Sequence, residues 1–144
     1  MKGAAVPNTF HLSLDVPDLD ASVAFYRELF GVEPAKLRPG YAKFELADPP
    51  VALALQQAAR PGLSHLGVRV ETTTEVEHAS ERLRASGLVT LDERETACCY
   101  ALQDKVWVAD PDGNAWEVFV VKGEADRMQA DPTKKGCCAP RVTG

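Results

Sequence analysis

Two stretches of this chain open in the same way, and this repetition constrains the fold more than any other feature. Phe10–Val16 and Ser64–Val70 each have a histidine as their second residue, His11 and His65, and an alternating run follows it. Alternation of this kind is typical of a half-buried strand, and residues at helical spacing follow each run. The sequence therefore predicts two copies of one small unit, each presenting an imidazole from its first strand.

Both units are predicted to run in the order strand, helix and three strands. In the first unit the helix covers Ala21–Phe30, with Asp18 or Asp20 as its cap. In the second unit the helix begins near Thr72 and ends at Gly87. The remaining strands are predicted at Glu33–Leu37, Tyr41–Leu46, Val51–Gln56, Leu88–Arg94, Lys105–Ala109 and Ala115–Val121.

The predicted fold class is α+β, with two paired βαβββ modules. A single domain is expected over residues 1–122, with module one at about 9–57 and module two at about 63–122. Residues 123–144 are polar and predict a flexible C-terminal tail. A length of 144 residues suits one domain with its own core.

The composition excludes several classes of function. The net charge of −5 argues against nucleic-acid binding, which needs a basic face. No apolar run has the length of a membrane span, and the first residues do not resemble a signal peptide. We therefore expect a cytoplasmic protein, whose two adjacent cysteine pairs, Cys98-Cys99 and Cys137-Cys138, carry reduced thiols.

A metal site is predicted from three residues. His11 and His65 meet if the two units pair about a pseudo-twofold axis. Glu117 is a lone carboxylate among apolar residues on a strand that should be buried, where a charge needs a partner. Two imidazoles and one carboxylate suit a non-haem Fe(II) oxygenase, or Zn, Mn or Ni, and leave coordination positions open.

Adjacent cysteines at 98 and 99 have two interpretations. They are either two small buried side chains or a pair of thiolates for a soft centre. Neighbouring side chains of a regular strand point to opposite faces, so chelation of one atom requires a turn or loop. The run Asp92–Asp104 has few periodic apolar residues and is predicted to be a mobile loop.

Residues 10–122 resemble the vicinal oxygen chelate superfamily of glyoxalases, bleomycin-resistance proteins and extradiol dioxygenases. The paired histidines, the turn Asp110-Pro111-Asp112-Gly113-Asn114 and Glu117 carry this resemblance. It implies a bowl of paired βαβββ modules that encloses a divalent metal. A closer similarity, in Phe25–Lys36, Arg38–Phe44, Ala47–Pro50 and above all Cys98–Val108, is to the organoarsenical carbon–arsenic bond lyases and the related cadmium-induced proteins.

This closer resemblance implies cleavage of the carbon–arsenic bond of trivalent organoarsenicals with Fe(II) and O₂, which releases arsenite. It assigns the metal to His11, His65 and Glu117, and substrate binding and catalysis to Cys98 and Cys99. Tyr100 either packs against the arsenic substituent or belongs to the core of the loop. Nickel, cobalt, manganese or zinc could occupy the site in vitro, and a homodimer is compatible with the fold.

Three other functions fit parts of the same pattern. One is a thiol-based protein that binds arsenite or cadmium, although sequestration needs no open metal position. Another is a different metal-dependent enzyme of the superfamily, such as a glyoxalase, although the first unit has no carboxylate to match Glu117. The last is an antibiotic-binding resistance protein, which typically has no metal triad.

Overall fold

The computed structural model describes residues 8–126. Eight strands and two helices follow one another in the predicted order. They are β1 Thr9–Val16, α1 Leu19–Phe30, β2 Lys36–Arg38, β3 Tyr41–Ala47, β4 Pro50–Gln57, β5 Gly62–Arg69, α2 Thr73–Ala85, β6 Leu91–Cys98, β7 Ala101–Ala109 and β8 Ala115–Glu124.

All eight strands form one mixed sheet with the order β2-β3-β4-β1-β5-β8-β7-β6, and the sheet curls into a half-barrel. Within each unit the first strand pairs in parallel with the last, β1 with β4 and β5 with β8. The two units meet where β1 and β5 pair antiparallel. This arrangement confirms the predicted α+β fold of paired βαβββ modules.

Side-chain caps set the helix boundaries. Asp18 accepts a hydrogen bond from the backbone N–H of Ala21 at 3.1 Å, so Asp18 rather than Asp20 caps the start of α1. Thr72 and Glu75 exchange hydrogen bonds in a capping box at the start of α2. These local interactions explain why both helices were found near their predicted positions.

Each helix packs on one half of the sheet. Val23 of α1 belongs to a core cluster with Phe44 and Leu55, and Val76 of α2 belongs to a second cluster with Val106 and Val120. A third cluster joins the two units, and its buried members are Tyr41, Ala54, Cys98, Cys99 and Trp107. The cysteine pair is therefore packed between the units and not on a detached loop.

The prediction of a loop over Asp92–Asp104 is wrong, because most of this segment belongs to two strands. Strand β6 continues to Cys98 and β7 begins at Ala101, so only Cys99 and Tyr100 form the turn between them. The strand predicted at Leu88–Arg94 is accordingly displaced toward the C-terminus. Because β6 is the last strand of the sheet and most of it is only partly covered, it needs no apolar alternation, and the sequence pattern that marks a strand is missing.

The C-terminal boundary also differs slightly from the prediction. Strand β8 extends to Glu124, two residues into the segment that was predicted to be a flexible tail. Residues 127–144, with Cys137 and Cys138, lie outside the described part of the chain. Between residues 8 and 126, neither helix has the length and apolar character that crossing a bilayer requires.

Candidate metal centre and thiol turn

The strand pairing brings the three predicted metal ligands together. His11 lies opposite Gly67 across the junction of β1 and β5, and Gly67 lies opposite Glu117 in the pairing of β5 with β8. His11 Nε2 is 3.9 Å and His65 Nε2 is 3.7 Å from Glu117 Oε1. One ligand atom from each of the three residues lies within 4.8 Å of the others, so a single divalent ion fits between them.

Burial and charge place these residues in the protonation states that bind metals. Burial lowers the pKa of His11 to about 3, although the nearby carboxylate of Glu117 opposes this shift. Burial lowers the pKa of His65 as well. Burial by itself would raise the pKa of Glu117, but the opposing charge of Lys105 helps to hold this pKa below its ordinary value. At neutral pH the site therefore presents two neutral imidazoles and one carboxylate, as metal ligation requires.

Lys105 is the charge partner that the buried Glu117 needs. Its Nζ donates a hydrogen bond to Glu117 Oε2 at 2.9 Å, and both side chains are almost completely buried. The ammonium group also lies 5.2 Å from the centre of the Trp107 ring. Since Lys105 binds Oε2, the other oxygen, Oε1, is left facing the two histidines.

A chain of polar side chains orients His65 from the opposite side. Ser64 Oγ is 3.0 Å from His65 Nδ1, and the Gln56 amide donates a hydrogen bond to Ser64 Oγ at 3.1 Å and another to Asp15. A hydrogen bond from Nδ1–H to Ser64 would leave the lone pair of Nε2 free toward the metal position. The Trp107 ring packs edge-on against His65 with the ring centres 5.2 Å apart.

The cysteine pair lies at the tip of the hairpin formed by β6 and β7. Cys99 and Tyr100 both have left-handed backbone angles, with φ of 53° and 60°, which is uncommon for residues other than glycine. The carbonyl of Tyr100 accepts hydrogen bonds from Lys36 Nζ at 3.2 Å and from the N–H of Ala125 at 3.0 Å. These contacts anchor the turn, here called the thiol turn (98–101), to β2 of the first unit and to the residue that follows β8.

The two sulfur atoms of the thiol turn are 3.6 Å apart. Two thiolates that each lie about 2.3 Å from one central atom, the length of a zinc–thiolate bond, can be up to about 4.6 Å apart, so this spacing suits chelation of one atom. The sequence predicts reduced thiols, but in this structure both cysteines are disulfide-bonded. The distance of 3.6 Å excludes a bond between the two, and arsenic binding would require their reduction.

One small cavity joins the thiol turn to the metal ligands. Its volume is about 20 Å³, enough for about one water molecule. Cys99, His11 and Glu117 all line it, together with Tyr41, Gln103 and Arg69. One cysteine and two of the predicted metal ligands therefore line the same small space.

Tyr100 is not among the residues that line this cavity. Its ring packs against the ring of Tyr41, with centres 5.7 Å apart, and its hydroxyl donates a hydrogen bond to the carbonyl of Pro39 at 3.4 Å. Of the two roles predicted for Tyr100, these contacts favour support of the turn in the conformation seen here.

Sequence reasoning missed four residues that shape the site. Lys105, Ser64 and Gln103 were not singled out, although the expectation that Glu117 needs a partner was a signal for a buried cation. Gly67 was also missed, and a Cβ placed there would lie 2.7 Å from Glu117 Cγ. Two of the four, Lys105 and Gln103, lie on the same face of β7 as Trp107, because residues two positions apart in a strand point to the same side.

Comparisons with known proteins agree with this architecture. The sequence profile of the Glyoxalase/Bleomycin resistance protein/Dioxygenase superfamily matches residues 9–118. The chain is 54% identical to a trivalent organoarsenical cleaving enzyme of Thermomonospora curvata, over 92% of this chain and 89% of that protein. It is 46% identical to the cadmium-induced protein CadI of Mycobacterium tuberculosis, over 84% and 81% of the two chains.

Among solved structures, homoprotocatechuate 2,3-dioxygenase from Arthrobacter globiformis has a similar fold, with a TM-score of 0.63 at 22% identity. The similarity covers 82% of this chain and 37% of that one. The matched profile, the paired modules and the convergent ligands lead to one conclusion: the chain belongs to the glyoxalase, bleomycin-resistance protein and dioxygenase superfamily.

Proposed function

We propose that this protein cleaves the carbon–arsenic bond of trivalent organoarsenicals with Fe(II) and O₂, releases arsenite and so detoxifies the arsenical. The observation that carries the proposal is the cavity lined by Cys99 together with His11 and Glu117. It would place a thiol-bound arsenic atom beside a metal with open coordination positions. The organoarsenical cleaving enzyme of Thermomonospora curvata, at 54% identity, supports the choice of substrate class.

The metal ligands proposed are His11, His65 and Glu117, and their donor set fits a divalent ion. A ferrous ion held there would supply the activation of O₂. Lys105 keeps Glu117 ionised and occupies its second oxygen. Ser64 holds His65 at Nδ1, so Glu117 and His65 are both oriented before a metal binds.

Cys98 and Cys99 are proposed to hold the arsenic. Trivalent arsenic is a soft centre that prefers thiolates, and a monosubstituted arsenical can exchange both of its hydroxyl groups for sulfur. The pair would fix the carbon beside the oxidant, and such positioning supplies a large share of the rate in many enzymes.

The cavity is too small for an arsenical in the conformation described here. A volume of about 20 Å³ holds one water and not a methylated arsenic atom. We therefore propose that the thiol turn opens to take up the arsenical and closes again over the metal. The unusual backbone angles of Cys99 and Tyr100 favour this turn as the part that moves.

The proposed reaction balances for methylarsonous acid. One CH₃As(OH)₂ and one O₂ give one As(OH)₃ and one formaldehyde. The carbon–arsenic bond breaks, arsenic stays trivalent, and the methyl carbon loses the four electrons that O₂ gains. A trivalent aromatic arsenical would leave as a phenol, and two electrons and two protons must then come from a thiol reductant.

The decisive experiment is arsenic speciation. The purified full chain is reduced, loaded with Fe(II) without oxygen, mixed with methylarsonous acid and exposed to air, and the arsenic species are separated by chromatography. Arsenite that forms only with both Fe(II) and O₂, together with one formaldehyde per arsenite, would support the proposal.

Two other results would count against the proposal. Bound but unchanged methylarsenic would favour a sequestering protein, the alternative to which the similarity to CadI is relevant. If methylarsonous acid did not bind, Cys98 and Cys99 would have a purely structural role in the cluster between the two units.

A further inference from the structure

A buried acceptor in the cavity wall has no assigned role. Gln103 is 4% exposed and lines the cavity together with Cys99 and Glu117. Its Nε2 donates a hydrogen bond to the carbonyl of Cys98 at 2.9 Å. Its Oε1 has no hydrogen-bond partner among the described residues, and a buried polar atom without a partner is unfavourable unless a ligand or water supplies one.

The hydrogen bond to Cys98 fixes which end of the amide is free. If the side chain were turned over, two carbonyl oxygens would face each other and neither could donate. The NH₂ group therefore stays on the thiol turn and the oxygen is the free end. Gln103 thus lines a space that holds about one hydroxyl or water, and its oxygen is the end of the amide without a partner among the described residues.

We propose that Gln103 is a positioning residue whose Oε1 accepts a hydrogen bond from a hydroxyl group on arsenic while the first thiol captures the substrate. This inference rests on the proposed function and concerns its first step. Once reduced, Cys99, which lines the cavity, has a thiol that forms a sulfur–arsenic bond with R–As(OH)₂. One arsenic–oxygen bond breaks, the thiol proton leaves with that hydroxyl as water, and R–As(OH)–S–Cys99 retains one hydroxyl.

The retained hydroxyl is what gives this arrangement selectivity. A monosubstituted arsenical still carries one hydroxyl after the first exchange, and this hydroxyl can donate to Gln103 Oε1. A disubstituted arsenical, R₂As–OH, loses its single hydroxyl in the same exchange and leaves Gln103 without a partner. Gln103 therefore favours arsenicals with one carbon substituent over those with two.

The test measures capture without cleavage. Reduced, metal-free full chain is mixed anaerobically with methylarsonous acid or with dimethylarsinous acid, and the loss of free thiol is followed in time. Adduct masses identify the bound species. We compare wild type with Gln103→Leu and Gln103→Met, which remove the acceptor, and with Gln57→Leu, a control at an exposed glutamine of β4.

Wild type and the control are expected to capture the monomethyl arsenical at least 10-fold faster than the dimethyl one. Both Gln103 variants should lose most of this preference. Equal capture of the two arsenicals by wild type would overturn the inference even if neither variant folds. If a folded Gln103 variant kept the preference for the monomethyl arsenical, the inference would also be overturned, because Gln103 Oε1 would then not contact the arsenical.

The same experiment separates this inference from the proposed function. Wild type that cleaves methylarsonous acid in air but shows no preference in capture would refute the role of Gln103 alone. If the wild-type protein captured neither arsenical, both the role of Gln103 and the proposed function would be refuted.

Discussion

Gly67 leaves the space into which the Glu117 side chain folds. The two residues are paired across β5 and β8, and a Cβ at position 67 would lie 2.7 Å from Glu117 Cγ and 2.8 Å from its carbonyl oxygen. Contacts this short force one side to move. Because His11 is the partner of Gly67 on its other side, this one glycine lies between two of the proposed ligands.

Gly67→Ala should therefore weaken metal binding. Displacement of Glu117 is expected to lower the affinity for a divalent ion by roughly 10- to 100-fold, as disturbing the support of a ligand commonly does. Titration of the metal-free protein with Co²⁺, followed by its visible absorption, measures this. Gly123→Ala is the matched control, since nothing lies within 4 Å of a Cβ at that glycine of β8. Equal affinities in the two variants would contradict the assignment.

Lys105→Met should destabilise the metal-free protein strongly. It leaves Glu117 as a buried charge that has lost its salt-bridge partner, at an expected cost of about 3–5 kcal/mol in the free energy of unfolding. Urea unfolding measures the loss. The double variant Lys105→Met with Glu117→Gln should recover much of it, since the buried carboxylate is gone. A single variant as stable as wild type would refute this account.

A divalent metal should rescue the same variant in part. The ion would take the place of the ammonium group as the positive partner of Glu117, and a ligand that binds the folded state alone raises its stability. The midpoint of urea unfolding of Lys105→Met should therefore rise more on addition of Co²⁺ than the midpoint of Glu117→Gln. Equal shifts would indicate that the metal does not contact Glu117.

The stability of the metal-free protein should fall as the pH drops below about 6.5. The unfolded chain protonates His11 near its ordinary pKa of 6.5, whereas the folded chain does so only at about 3. Between these values the unfolded state binds more protons, so the free energy of unfolding rises with pH by up to about 1.4 kcal/mol per pH unit for each such histidine. Burial shifts His65 in the same direction.

Denaturant titrations of metal-free protein between pH 7.5 and 5 measure this slope. His11→Gln should reduce it, because one of the two contributing histidines is removed. Identical slopes in wild type and variant would contradict the burial of a neutral imidazole at position 11.

Cys98→Ser and Cys99→Ser should separate arsenic binding from metal binding. Either change removes one of two thiolates that are 3.6 Å apart, and we expect arsenite release to fall roughly 100-fold or more as the substrate loses its fixed position. Affinity for Co²⁺ should stay the same, because neither cysteine belongs to the convergent ligand set. Full activity in both variants would refute the proposed role of the thiol turn.

The sequence alone determined most of the helices and strands, and it predicted the three candidate metal ligands that the structure brings together. Amphipathic periodicity and capping residues such as Asp18 and Thr72 act locally, so both helices and most strands could be predicted. The repeated histidine strand revealed the internal pairing. The polar edge strand β6 could not be read in this way, and the loop predicted around the cysteines proved to be a two-residue turn.

Only the tertiary structure decided how these residues act on one another. Lys105 and Glu117 are separated by 12 positions, and no local pattern shows that their side chains meet inside the sheet. The space left by Gly67, the orientation of His65 by Ser64 and the free oxygen of Gln103 likewise depend on strand register. A sequence records which groups are present, whereas distances and burial, which set charge states and chemistry, arise from contacts between strands that are distant along the chain.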